Sequence, residues 1–392
     1  MQFTLVLNDK CNLSCEYCCV LDSLNQGNEI TLKDTYSFLD WQLNLYSEEE
    51  EHTIEFFGGE PTISWDSIKQ IFNYLENNYP NHNLTYRIYT NCVFNSKVKK
   101  DLETWKKFDD IICSIDGTYE DNLYRTKSKK THEHIISNYK FLLSNLNTVG
   151  VAFVVHPESN LPKVFDYFKN MGTRYFHFEI ATLWKDNKDN SITNEYLFDI
   201  CNFIYDEVLI NNLNNPDNFF LFSIPRELLS SKYFFINKTR KSCFDEMRSL
   251  SPRGNIYFCR DLAVSEDHLS KMKQDSNIIF KENSFIPFNI KDLQLNKESN
   301  EYKESTRVYD DLTSCPVKSF EYTHFVKTIP PWIKDEDFQK LVVFPIFELM
   351  LETFTLHTKD SINDIEFLKQ HYNKIEVYKK VLDFYGKNIL QK

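Results

Sequence analysis

The chain's 392 residues suit a main domain with one or two appendages, and a 42% apolar share rich in Phe and Tyr excludes a disordered chain. A net charge of −12, with no Lys/Arg stripe interleaved with aromatics, argues against a nucleic-acid partner; Lys127, Lys129 and Lys130, like acidic Glu48–Glu51, read as solvated surface. No apolar run reaches the length of a membrane span and Phe3–Leu7 is too short for a signal peptide, so a cytoplasmic protein without membrane contact is expected.

In chain order, short runs rich in Val, Ile, Phe and Tyr predict strands over Phe3–Leu7, Thr53–Phe57, Thr85–Tyr89, Ile111–Ile115, Val149–Val155 and Tyr175–Ile180. Between them, helical spacing predicts Leu32–Tyr46, Trp65–Tyr79, Lys97–Phe108, His132–Leu146 and Leu161–Met171. Thr31 with Asp34 reads as a variant capping box, Asn160 precedes a first-turn proline, and Gly172 sits where a C-terminal cap belongs. Strands alternating with helices imply a parallel sheet with right-handed crossovers. Six such units make a partial barrel or an open doubly wound sheet, and periodicity does not separate the two.

From Leu183 the rhythm stops. Asn, Asp and Lys dominate 185–195, a helical stretch runs from Glu195 to Asn211, and 215–320 holds irregular apolar pieces with three cysteines. Ile365, Leu368, Tyr372, Ile375 and Leu382 then lie at the spacing of an amphipathic helix that docks on another element.

Ten cysteines in a chain with no secretory signal point to metal ligands or core thiols, not disulfides. Three of them form Cys11-Asn-Leu-Ser-Cys15-Glu-Tyr-Cys18, directly after the first strand; chance would give such a triplet about 0.006 times in this composition. A structural zinc site wants four ligands, usually as two separated pairs. A three-thiolate loop suits a four-iron cluster that leaves one iron open. Cys19 is adjacent to Cys18 and reads as a packed neighbour, since consecutive side chains seldom turn onto one metal.

The chain has only 8 glycines, so each one kept is expected where only glycine fits. Two of them open Gly58-Gly59-Glu60-Pro61, after the second strand, where backbone can approach a ligand closely and a carboxylate can meet an ammonium. Alone, a Gly-Gly turn most often ends a strand. One unit after the cysteine loop, it carries more.

Together these two segments resemble the radical S-adenosylmethionine (SAM) superfamily, in its branch with SPASM or twitch auxiliary-cluster domains. The resemblance runs over residues 3–180: Thr90-Asn91 ends the third strand, Ser114-Ile-Asp116-Gly117 ends the fourth, and Arg125 follows. Cys92 stands where the family usually has glycine, which puts the geometry of that turn in question. The resemblance implies an α/β chain with a partial (β/α)6 TIM-type barrel over 1–183 and a helical linker over 184–240. It also implies a small twitch/SPASM-like cluster-binding region over 241–320, followed by a helical segment over 321–392.

It implies residue roles as well. Cys11, Cys15 and Cys18 would hold a [4Fe-4S] cluster whose fourth iron chelates SAM; Gly58, Gly59 and Glu60 would hold the SAM ammonium. Ser114, Asp116 and Asn91 would meet the ribose, Arg125 the carboxylate, and Tyr17 the adenine. An electron, delivered by a flavodoxin- or ferredoxin-type donor, would cleave SAM to a 5′-deoxyadenosyl radical that takes hydrogen from substrate. Cys243, Cys259 and Cys315 are the candidates for an auxiliary iron–sulfur cluster: Cys-x10-Gly-x4-Cys around Gly254 resembles a SPASM or twitch opening, but the dense cysteine run that should follow is missing. Cys201, on a helix, reads as core, and a structural zinc stays open for the auxiliary cysteines. No leader-binding module is recognisable ahead of Met1, so leader recognition is expected from later segments or another chain. The expected substrate is a ribosomally made peptide receiving a crosslink, thioether or epimerisation. A small-molecule or sulfatase-type dehydrogenase and a non-catalytic zinc scaffold are the alternatives.

Overall fold

A computed structural model describes residues 1–18, 24–156, 158–180, 193–215, 220–222, 247–257, 260, 263, 288–289 and 365–385. Cys19, Cys243, Cys259 and Cys315 lie outside the described residues, and most of the expected linker and auxiliary region lies there too. The chain divides into two compact units: Met1–Ile115, Asn122–Val149 and Lys238–Leu312 form one, while Asp116–Asp121, Gly150–Asn237 and Thr313–Lys392 form the other. The units therefore cut across the ranges expected from sequence.

In the first unit, β1 (Gln2–Val6), β2 (His52–Phe57), β3 (Leu84–Thr90) and β4 (Asp110–Ser114) pair in parallel in chain order. Their helix-side residues are apolar: Phe3, Leu5, Ile54, Phe56 and Ile88 are fully buried. Against them pack α1 (Leu32–Leu43) and α2 (Trp65–Asn78), with Phe3 edge-on to Phe38 at 6.3 Å and Phe56 against Phe72 at 5.4 Å. Thr31 caps α1 by accepting the Asp34 N–H at 3.0 Å, as the spacing predicts. The helix expected over 97–108 is instead two short ones, α3 (Ser96–Lys100) and α4 (Leu102–Trp105). The break is Asp101: its carboxylate caps α4 at the Thr104 N–H, accepts Trp65 Nε1 at 3.1 Å and pairs with Lys69 at 3.0 Å. Three partners for one short side chain, one local and two from α2, outweigh helix continuity. In α5 (Lys129–Asn145), His132, Ile135, Tyr139 and Leu142 form the buried stripe.

The second unit holds β5 (Val149–Val155) from Gly150 onward, α6 (Leu161–Lys169), β6 (Tyr175–Ile180), α7 (Asn194–Phe203), α8 (Ile210–Asn214) and β7 (Leu221–Phe222). Its strands pair in parallel in the order β5-β6-β7. Phe165 of α6 centres the core, within 5.2 Å of Phe203 and Phe220 and 4.8 Å of Phe176. Asn160 caps α6 at the Lys163 N–H, and Gly172 leaves it at φ +94°. A π-helical turn, Ile204–Leu209, joins α7 to α8.

Back in the first unit, β8 (Met247–Leu250) adds to the sheet beside β1, in parallel, and β9 (Asn255–Tyr257) and β10 (Phe288–Asn289) follow antiparallel. Gly254, at φ +79°, turns the hairpin between β8 and β9. The C-terminal helix α9 (Ile365–Tyr385) buries Ile375, Tyr378 and Leu382 in the second unit. Tyr378 hydrogen-bonds the Cys201 thiol, which burial pushes up to about 12; Cys201 is core, as read. Parallel strands in chain order with intervening helices agree with the expected partial-barrel α/β class. Among the described residues no helix is long and apolar enough to cross a membrane.

Candidate active site

The C-terminal ends of β1 to β4 carry the candidate residues of the first unit. Cys11, Cys15 and Cys18, all half-buried, follow β1. Their loop is tied at both flanks. Asp9 accepts the N–H groups of Gly27 (3.1 Å) and Asn28 (3.0 Å), and the Glu16 N–H reaches Tyr124 O at 2.8 Å. The Asn25 carboxamide accepts the Cys11 N–H at 3.2 Å.

Gly58 and Gly59 are required by the approach of this same segment. A Cβ on Gly58 would lie 2.7 Å from Asn8 O, and one on Gly59 would lie 2.3 Å from Lys10 O. No side chain fits either place. The close contact is used: Gly59 N donates to Asn8 O at 2.9 Å and Glu60 N to Lys10 O at 2.7 Å. The Gly-Gly turn thus holds the stem of the cysteine loop.

Glu60 is 1% exposed, and its carboxylate accepts from Thr62 N (3.0 Å), Thr62 Oγ1 (2.6 Å), Thr90 Oγ1 (2.8 Å) and Asn91 N (2.7 Å). Burial pushes its carboxyl above the ordinary range, and these donors pull against that. Asn91 continues the network: its Nδ2 donates to Asn12 Oδ1 at 2.8 Å and to Cys11 Sγ at 3.6 Å, and its Oδ1 accepts the Val93 N–H at 2.8 Å. Cys11 Sγ also accepts the Leu13 N–H at 3.4 Å. Burial chiefly drives the Cys11 thiol up to about 11, against the Leu13 and Asn91 donors and with the Glu60 charge and Cys15 adding to it.

Cys92 takes φ +61°, in the left-handed region that favours glycine. Its N–H donates to Thr90 Oγ1 at 3.1 Å, and its carbonyl accepts Asn138 Nδ2 at 2.9 Å. Ser114 is half-buried at the end of β4. Arg125 lies over the Tyr17 ring at 5.4 Å, joining two residues read separately as SAM contacts. Asp116 belongs to the second unit, where its Oδ1 accepts the Val154 N–H at 2.9 Å.

Sulfur that receives N–H donors is the environment of an iron–sulfur ligand. Among the described residues no three His, Cys, Asp or Glu side chains converge on one ion position. A cluster spreads its ligands over several irons and does not need such convergence.

Sequence reasoning missed a second group on the sheet face away from the helices. Thr4, Glu55, Arg87 and Asp110 form one register row across β1 to β4. Glu55 is fully buried; its Oε1 accepts Thr4 Oγ1 at 3.1 Å and lies 3.5 Å from Arg260 Nη1. The Arg260 guanidinium sits 4.6 Å from the Phe57 ring and 5.4 Å from the Tyr89 ring. Arg87 pairs with Asp110 at 2.7 Å. The available signal was an acidic residue inside the apolar strand Thr53–Phe57.

Residues 5–169 match the Radical SAM superfamily. The uncharacterized protein MJ0907 of Methanocaldococcus jannaschii is 30% identical over 169 residues, covering 42% of this chain and 56% of that protein. The radical SAM cyclopropyl synthase TigE of Paramaledivibacter caminithermalis is 23% identical over 181 residues, covering 42% of this chain and 36% of that protein. The match thus spans about half or less of either curated relative. Among solved structures, native anSMEcpe with bound AdoMet and Cp18Cys peptide aligns over 89% of this chain and 99% of its own, at TM-score 0.59 and 16% identity. SuiB of Streptococcus suis bound to S-adenosylmethionine aligns over 79% and 68%, at TM-score 0.52 and 14% identity.

Proposed function

Residues 5–169 form a radical SAM domain, and on that premise we propose that this protein is a radical SAM enzyme that modifies a peptide. The observation that carries the reading is the cysteine loop held on the Gly58–Gly59 turn, with N–H donors aimed at the Cys11 sulfur. In this reading Cys11, Cys15 and Cys18 hold a four-iron cluster. When bound, the cluster and SAM supply reductive cleavage of SAM to a 5′-deoxyadenosyl radical.

The chain's own residues bind and orient. The Gly58–Gly59 turn would hold the SAM ammonium, with the Glu60 carboxylate fixing the turn. Arg125, stacked on Tyr17, offers a guanidinium to the SAM carboxylate, and the Tyr17 ring is the apolar wall for adenine. Ser114 offers a hydroxyl to the ribose. The polar row of Thr4, Glu55 and Arg87 gives the sheet face a charged lining that a purely structural barrel would fill with Val, Ile and Leu. A peptide substrate is supported by the fold-level likeness to anSMEcpe, whose structure carries a bound peptide. An electron donor of flavodoxin or ferredoxin type would supply the reducing equivalent.

Anaerobic reconstitution tests this reading. Wild type should take up iron, absorb broadly near ~400 nm and release 5′-deoxyadenosine from SAM on reduction. Cys15→Ala should lose both properties, and full SAM cleavage by that variant would overturn the proposal. Cys243, Cys259 and Cys315 are proposed for an auxiliary cluster. About four irons per chain should then remain when Cys11, Cys15 and Cys18 are all replaced by Ala, and none if those three cysteines hold no cluster.

A further inference from the structure

Asn91 enters the sequence reading as a ribose contact, but its carboxamide is already committed. Its backbone N–H is fixed by Glu60 at 2.7 Å, and its Oδ1 accepts the Val93 N–H at 2.8 Å, which closes the turn after β3. One Nδ2 hydrogen serves Asn12 Oδ1 at 2.8 Å and the other serves Cys11 Sγ at 3.6 Å. The amide orientation follows from this network: oxygen meets a donor, and nitrogen meets two acceptors. What remains for a ligand is one lone pair on Oδ1.

An N–H bonded to a ligand sulfur draws electron density from it and favours the reduced, more negative state of a cluster. Cys11 receives two such donors. The one from Leu13 is backbone, while the one from Asn91 is a side chain that evolution or experiment can change. We infer that Asn91 is a positioning residue for the cluster, not for the ribose: its carboxamide, anchored by the Val93 N–H and Asn12 Oδ1, donates to Cys11 and raises the reduction potential. The inference rests on the reading of Cys11, Cys15 and Cys18 as cluster ligands.

Two variants keep the turn and remove the donor. Asn91→Asp retains an acceptor for the Val93 N–H, and Asn91→Ser does so through its hydroxyl, too short to reach the sulfur. The reconstituted full chain is titrated against redox dyes and followed by visible absorption and electron paramagnetic resonance. At a fixed donor potential Asn91→Ser should show a reduced-to-oxidised ratio about tenfold below wild type, equivalent to about 59 mV for one electron. Asn91→Asp should fall further, because it brings a negative charge to the sulfur. SAM affinity should stay close to wild type in Asn91→Ser.

Unshifted potentials in variants that bind iron overturn the inference, as does a large loss of SAM affinity without a shift. Loss of iron uptake from both variants also overturns it, since the amide would then hold the loop and tune nothing. A wild type that forms no four-iron chromophore sinks the proposed function itself, which separates the two failures.

Discussion

The Asn91 N–H is held by Glu60 Oε2 at 2.7 Å, so the turn after β3 hangs on the turn after β2 through a carboxylate that solvent does not reach. The side chain expected from sequence to meet a ligand ammonium is the joint between two loops.

Glu60→Ala should therefore act on the fold as well as on SAM. It strands buried donors on Thr62, Thr90 and Asn91, at a cost of about 3 kcal/mol or more. Urea denaturation of the variant should show a lower midpoint, and iron uptake should fall along with SAM affinity. Unchanged stability with weakened SAM binding alone would mean that the carboxylate acts only on the ligand.

At position 92 the backbone conformation favours glycine, yet the buried thiol contributes packing. Cys92→Gly should change stability by less than about 1 kcal/mol, since relief at φ +61° offsets the lost side chain. Cys92→Val places a β-branched residue in the left-handed region and should cost about 2 kcal/mol or more. Equilibrium unfolding of both variants compares the two effects directly.

Glu55 and Arg260 form a buried pair, with side chains 0% and 7% exposed. Glu55→Leu removes the carboxylate beside the buried guanidinium and should destabilise by roughly 3–5 kcal/mol. Adding Arg260→Met should recover most of that loss. A double-mutant cycle by denaturant unfolding would show the recovery as a coupling term, and additive losses would rule out an energetic pair.

His52, packed 5.4 Å from Phe3 and 5.2 Å from Tyr46, is held below the ordinary histidine value chiefly by burial. The unfolded chain accepts that proton near pH ~6.5 while the folded chain does not. Its contribution to stability is thus present above that pH and lost as pH falls through it toward the folded value. His52→Phe should flatten this part of the stability profile. His156, lowered in the same sense by burial, contributes equally to wild type and variant, so their difference isolates His52.

The sequence by itself determined the alternation of strands and helices, the caps at Thr31 and Asn160, and the cysteine loop and Gly-Gly turn at strand ends, because each is encoded within a few residues. Local breaks were harder to read. The helix division at Asp101 depends on Trp65 and Lys69, which arrive from another helix. Only the tertiary structure decided what the site residues bond to: Gly58 and Gly59 press on the backbone of Asn8–Lys10, Glu60 joins two turns, and Asn91 faces a sulfur 80 positions earlier. The Thr4, Glu55, Arg87 and Asp110 row was invisible for the same reason. Its members stand on four separate strands, and only the register of the parallel sheet makes them neighbours.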